Sequence, residues 1–239
     1  QSIIEERRAR GEEGDDLLGR LLAARHEDGS AMNDVQLRDE MITMYLAGHE
    51  TTALALFYAL RLLAQHPEVQ EALVEELDRV VGSGRPTLAH VPDLRVTDAV
   101  MQESMRLYPP AWLIAREVTQ EVEIDGYRAP PGTQVLISQW AMHRDERTFE
   151  DALAFRPQRW LDGLADQLPR FAYFPFGGGP RVCIGNHFAR LEATLCLATL
   201  VGRLQWEPIE EDELRLLPAV TLRPLSGMHL RARPRRGTA

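Results

Sequence analysis

The sequence predicts a mainly helical fold with small antiparallel β-sheets at one side. Three observations point there. Apolar residues at helical spacing fill the first half, the period shortens to about two after Glu117, and Gly177-Gly178-Gly179 leads into a further apolar helix. Over 239 residues, 44% hydrophobic and 26% charged, with 17 Gly and 15 Pro, the composition excludes collagen-like and disordered chains and is enough to bury a real core.

Taken in order, Asp15 to His26 carries Leu17, Leu18, Leu21 and Leu22 at helical spacing after an acidic start, and Asp28-Gly29-Ser30 closes it. Asn33 or Asp34 then caps a long helix from Val35 to Gln65, with Gly48 as its weak point. His66-Pro67-Glu68 stops that helix and starts another, whose buried stripe is Val69, Leu73, Leu77 and Val80. After the loop Gly82 to Pro86, a third helix spans Leu94 to Leu107 and ends before Pro109-Pro110. Val118, Val122, Ile124 and Tyr127 alternate around Asp125-Gly126, a hairpin signal, and Thr133 to Ile137 is another strand. His143 to Pro175 reads as an aperiodic loop rich in Pro, Arg and aromatics. A helix follows from Asn186 to Val201, then short strands and a solvated basic tail, Arg231 to Arg236.

The charge balance excludes several functions. Lys+Arg 27 against Asp+Glu 36 gives −9, which disfavours nucleic acid as a partner. Every basic residue is Arg, so there is no phosphate-loop, Schiff-base or catalytic Lys. Arg-only usage is also what a GC-rich bacterial genome gives. The two Cys, Cys183 and Cys196, make neither a disulfide framework nor a zinc knuckle. No apolar run reaches the length of a membrane span and no signal peptide opens the chain, so a cytoplasmic location is expected; because the first residue is Gln1, a missing anchor decides little.

Cys183 is the chemical focus. It follows Phe176-Gly177-Gly178-Gly179-Pro180-Arg181-Val182 and precedes Ile184-Gly185 at a helix start. Consecutive glycines let backbone N–H groups turn inward, and a helix start beside Arg181 favours negative charge on the sulfur. A lone soft sulfur suits heme iron better than tetrahedral zinc, which needs three more ligands. A structural Cys in a glycine turn and a Cys nucleophile served by His187 are the other readings these residues leave open. Ala47-Gly48-His49-Glu50-Thr51-Thr52 puts polar groups into an apolar helix centre, where Thr51 can bond back to the Ala47 carbonyl and bend the helix, or Gly48 can simply serve packing. Glu103 and Arg106 lie three apart on one helix face; exposed, such a pair is worth little. Phe155-Arg156-Pro157-Gln158-Arg159-Trp160 offers Arg159 in an anchored loop.

These motifs stand in the order found in the cytochromes P450, and over essentially all 239 residues the chain resembles the C-terminal half of that heme-thiolate monooxygenase family. The matches are the oxygen-activation motif at Ala47 to Thr52, the Glu-x-x-Arg pair, the Pro-x-Arg-aromatic meander at Pro157 to Trp160 and the Phe-x-x-Gly-x-Arg-x-Cys-x-Gly loop at Phe176 to Gly185. The resemblance implies the C-terminal portion of the P450 fold, with its long distal helix, Glu-x-x-Arg helix, meander, Cys-loop and following helix. It implies heme b with Cys183 as axial thiolate, Phe176 beneath the ring, Gly179 and Gly185 shaping the loop, and Arg116 and Arg181 on the propionates. Thr51 and Glu50 would manage water and protons for dioxygen, beside a groove made by Ala47 and Gly48. Glu103, Arg106 and Arg159 would form a buried ion triad. Ala111 to Ile114 and the turn near Ser226 would line a pocket with Met44 and Ala47. His143 receives no firm role.

Family members are nearly twice this long, and the N-terminal half supplies the pocket roof, two bundle helices and another propionate ligand. The expectation is therefore a single domain, 1–239, forming the heme-binding half of a larger monooxygenase. It would show apolar helix faces where other helices pack and would be weakly active or inactive alone. The expected reaction inserts one atom of O2 into a hydrophobic substrate, with electrons from a ferredoxin- or flavodoxin-type donor meeting Arg181 and Arg190. The alternatives are a peroxide-driven heme-thiolate enzyme and a non-catalytic or inactive heme-binding fragment. Fatty acid, terpene, steroid and polyketide substrates all fit the apolar Met44, Trp112, Leu113 and Ile114.

Overall fold

The computed structural model describes residues 2–10, 14–209 and 213–235. The chain divides into two compact units, Gln1–Glu50 and Thr51–Ala239.

The first unit holds α1 (Ser2–Arg10), α2 (Leu17–Ala23) and the first half of α3 (Asp34–Gln65). Asp16 caps α2 by accepting the Gly19 N–H at 2.8 Å. Asn33 and Gln36 cap α3 reciprocally: the Gln36 N–H donates to Asn33 Oδ1 at 2.9 Å and the Asn33 N–H donates to Gln36 Oε1 at 3.1 Å. Ile4, Leu18 and Leu37 are buried together, with Leu21, Leu22 and Met41 against them. The second helix is shorter than Asp15 to His26 because Ala24 turns extended and Gly29, at φ 83°, reverses the chain.

In the second unit, α4 (Pro67–Val80) and α5 (Arg95–Leu107) follow α3. Strands β1 (Ile114–Glu117) and β4 (Gln134–Ile137) pair antiparallel around the hairpin of β2 (Val122–Ile124) and β3 (Tyr127–Ala129). That hairpin turns on Asp125 and Gly126, at φ 50° and 82°, the two positive values its tight two-residue loop requires. The stretch read as an aperiodic loop contains α7 (Gln158–Leu161) and α8 (Leu164–Gln167), and α6 (Gln139–Met142) precedes it; four residues are too few to carry a period. Helix α9 (Asn186–Arg203) leads into β5 (Leu204–Pro208), which pairs with β8 (Leu230–Pro234), while β6 (Leu216–Pro218) pairs with β7 (Leu222–Pro224). Among the described residues no helix is long and apolar enough to cross a membrane.

Ala59 and Leu63 of α3, Leu73 of α4, Val100 of α5 and Leu197 and Val201 of α9 form the core of this unit. Two buried polar side chains lock the helices in place. Glu76 of α4 accepts the N–H groups of Val96 and Thr97, at 2.6 and 2.9 Å, and the Thr97 hydroxyl at 2.9 Å, so it caps α5 from another helix where Leu94 has no group to do so. Gln70 exchanges two hydrogen bonds with the Trp206 backbone at 2.8 and 2.9 Å and fixes β5 against α4. The tail is not merely solvated. Residues 231–234 belong to β8, and Arg235 reaches Asp78 at 2.7 Å and the Gly202 carbonyl at 2.9 Å; Arg236 lies outside the described residues.

Candidate functional site

The loop before α9 closes on itself, with the Cys183 N–H donating to the Phe176 carbonyl at 2.9 Å and the Gly177 N–H to the Phe174 carbonyl at 2.9 Å. Gly177 and Gly179 hold φ of 74° and 70°, values side chains resist, and a Cβ on Gly178 would lie 2.5 Å from the Phe171 ring. Cys183 is exposed, which removes the reading as a buried structural cysteine. Gly185 caps α9, and a Cβ there would reach the Cys183 sulfur only at 3.9 Å. Val182 and Ile184, which flank Cys183 in sequence, and Phe188 are exposed, and Phe176 is half-buried against the core. Cys196 sits within α9, where burial, then Glu192, pushes its thiol up.

Among the described residues no three His, Cys, Asp or Glu side chains gather as a metal site, so the Cys183 sulfur can be only one ligand of an ion that arrives with its other ligands. An exposed sulfur, a loop built on positive-φ glycines and exposed apolar residues beside it in sequence fit a planar macrocycle that brings the remaining ligands itself.

Behind this loop lies a buried ion network. Glu103 and Arg106, both fully buried, join through Arg106 Nε to Glu103 Oε2 at 2.9 Å and Nη2 to Oε1 at 2.8 Å. Glu103 also accepts Arg159 Nε at 3.1 Å, the Arg156 N–H at 2.9 Å and Trp160 Nε1 at 2.8 Å. Arg106 spends its remaining donors on the carbonyls of His143, Ala152 and Ala154, at 2.7, 2.6 and 3.0 Å, and lies over the Phe149 ring. The two helix residues thus staple α5 to the meander.

His143, without a role from sequence, is fully buried, and its Nε2 accepts the Phe174 N–H at 3.0 Å just before the Cys-loop. Burial, ahead of the charges of Arg106 and Arg144, pushes the imidazole down to about 3. The unfolded imidazole takes a proton near pH 6.5, so stability complete above that pH is lost as pH falls toward 3, at up to about 1.4 kcal/mol per pH unit. Between pH 7.5 and 5.0 the protein should lose about 2 kcal/mol more, by urea midpoint, than a His143→Gln variant. Equal losses would remove His143 from the acid response.

Ala47, Gly48, Glu50 and Thr51 lie on α3, which runs helical without a break through Gly48 and Thr52. Arg116, on β1, and Arg181 are exposed, and among the described residues neither pairs with a carboxylate. Arg190, expected to meet a partner's acids, is half-exposed and pairs with Asp98 at 3.0 Å. The expected turn near Ser226 is present as a bend after β7, and a second turn reaches the Ala111–Ile114 segment. The Trp112 indole donates to the Ala219 carbonyl at 2.8 Å and the Leu222 N–H to the Pro110 carbonyl at 2.9 Å, so the turn between β6 and β7 meets the Ala111–Ile114 segment. Ile114 also abuts the Cys-loop, its Cδ1 3.4 Å from where a Gly177 Cβ would be. Exposed Ile42, Tyr45 and Leu46 on α3 give the first unit an apolar surface of its own.

The family model described as Cytochrome P450 matches residues 1–230. The chain is 43% identical over 212 residues to cyclooctatin synthase of Streptomyces melanosporofaciens, covering 89% of this chain and 46% of that protein. It is 39% identical over 218 residues to pentalenene oxygenase of Streptomyces avermitilis, covering 91% and 48%. It is 36% identical over 220 residues to cytochrome P450 4c3 of Drosophila melanogaster, covering 90% and 41%. The chain spans about half the length of these curated relatives.

Proposed function

The chain belongs to the cytochrome P450 family, and on that premise we propose that it forms the cysteine-bearing half of a heme-thiolate monooxygenase acting on a hydrophobic organic compound. The observation that carries this reading is Cys183, exposed at the end of a closed glycine loop with apolar neighbours. Bound heme b supplies dioxygen activation, favoured by electron density from a sulfur ligand.

The chain's own residues bind, orient and handle protons. Cys183 would hold the heme iron through its sulfur, with Phe176 in the same closed loop and Gly179 and Gly185 giving that loop its path. Arg116 and Arg181, cations without a carboxylate among the described residues, are proposed for the two propionates. Glu50 and Thr51 are proposed to hold water and pass protons at the Thr51 hydroxyl, with Ala47 and Gly48 leaving room beside them. Trp112, Leu113 and Ile114 offer an apolar contact for substrate. The relatives' names include pentalenene oxygenase and cyclooctat-9-en-7-ol 5-monooxygenase, which supports a hydrophobic compound as the substrate class. A small ferredoxin- or flavodoxin-type donor would deliver electrons from the cysteine side.

Thr51→Ala tests this reading in a polypeptide completed to the length of the relatives. Heme content and the carbon monoxide band should persist, because Thr51 is not a ligand. Product per reduced nicotinamide should fall severalfold while hydrogen peroxide rises, because the proton is no longer held at that hydroxyl. Unchanged coupling would overturn the role of Thr51 and favour a peroxide-driven enzyme.

A further inference from the structure

Tyr58 is fully buried on α3, yet its hydroxyl donates 2.8 Å to the carbonyl of Leu222, a residue 164 positions away at the start of β7. Leu222 also gives its N–H to the Pro110 carbonyl at 2.9 Å, and the Trp112 indole donates to the Ala219 carbonyl at 2.8 Å. The Trp112 carbonyl in turn accepts the Trp140 N–H at 3.2 Å. The same residues are stacked. Tyr58 lies on Tyr108, ring centroids 4.9 Å apart at 16°, Tyr108 meets Trp140 at 5.9 Å, and the Arg144 guanidinium covers the Trp140 face. A ribbon of two three-residue strands has little stability of its own, so β6–β7 depends on these outside bonds for its place. At its tip Val220 is 94% exposed, an apolar side chain held out beside Trp112.

We propose that Tyr58 is a positioning residue whose hydroxyl clamps the 219–222 turn onto the 110–114 segment, so that the two act as one wall beside the Cys-loop and set the size of compound admitted there. The word "admitted" rests on the heme-thiolate reading; the clamp itself does not. The argument for a clamp over mere core filling is the hydroxyl. A buried ring could fill the same volume as Phe, whereas the hydroxyl satisfies a buried carbonyl on an element that little else holds.

Tyr58→Phe keeps the ring and removes only that bond. Amide hydrogen exchange should become at least about tenfold faster at 110–112 and 219–222, with α4 and α9 unchanged. In the heme-loaded protein, 4-phenylimidazole should bind at least about tenfold more weakly while imidazole itself binds as before, because only the larger probe reaches the wall. Trp112→Phe should act alike, and the double variant should be no worse than either single one, as expected for two parts of one device. Exchange that rises everywhere or nowhere would overturn the clamp. Local exchange with both probes weakened equally would overturn the size-selecting role. A protein that takes no heme would refute the reading of the site, and the exchange result would still decide the clamp.

Discussion

Glu103→Ala is expected to abolish soluble, folded protein rather than adjust its activity. The Glu103 carboxylate has no solvent exposure and accepts five hydrogen bonds, from Arg106 twice, Arg159, the Arg156 backbone and Trp160. Truncation strands the Arg106 guanidinium in the interior and orphans the Trp160 indole N–H. Breaking one side of such a network costs about 3–5 kcal/mol, a large share of the roughly 5–15 kcal/mol that holds a domain together. Arg159→Ala should cost less, because Arg159 lies nearer the surface and removing it leaves Glu103 with four donors. The soluble yield and thermal midpoint of the two variants check the order. A Glu103→Ala protein that melts like the parent would show that the carboxylate holds nothing in place.

The long helices were readable because their apolar spacing persists over many turns. The ends of α3, α4, α5 and α9 fall within about two residues of where the caps, Pro67 and the Pro109-Pro110 stop put them. The Asp125-Gly126 hairpin was equally plain, since few sequences satisfy two positive φ angles. What escaped is cross-chain chemistry. Nothing near Leu94 announces that Glu76, on another helix, caps α5, and nothing near Tyr58 announces a bond to Leu222. His143 looked like one histidine in a loop, and only burial and the Phe174 N–H give it a task. Periodicity put Glu103 and Arg106 on one helix face, whereas the pairing of Arg159 with Glu103 came only with the family resemblance, because a contact across 56 residues of irregular chain leaves no local trace. The turn near Ser226 came with the family resemblance, whereas the contact of the 219–221 turn with Trp112 went unread because Ala219-Val220-Thr221 contains no strong turn former.

The largest functional effect is expected at Cys183. A Cys183→Ser variant replaces a soft sulfur by a hard hydroxyl without disturbing the loop, which is closed by the residue's backbone N–H rather than by its side chain. Folding, and with it the Glu103 network, should therefore survive while the ligand is lost. Cys196, within α9 and with its thiol pushed up by burial, cannot substitute. Cys196→Ser should accordingly leave the spectrum unchanged. The deciding measurement is the reduced carbon monoxide difference spectrum of the heme-loaded protein beside that of its Cys183→Ser variant. The parent is predicted to show the red-shifted Soret band of a sulfur-ligated heme and the variant to lose it, with both folded by circular dichroism. A Cys183→Ser protein that kept the red-shifted band, or a folded, heme-loaded parent that never showed it, would contradict the assignment of Cys183 as the ligand.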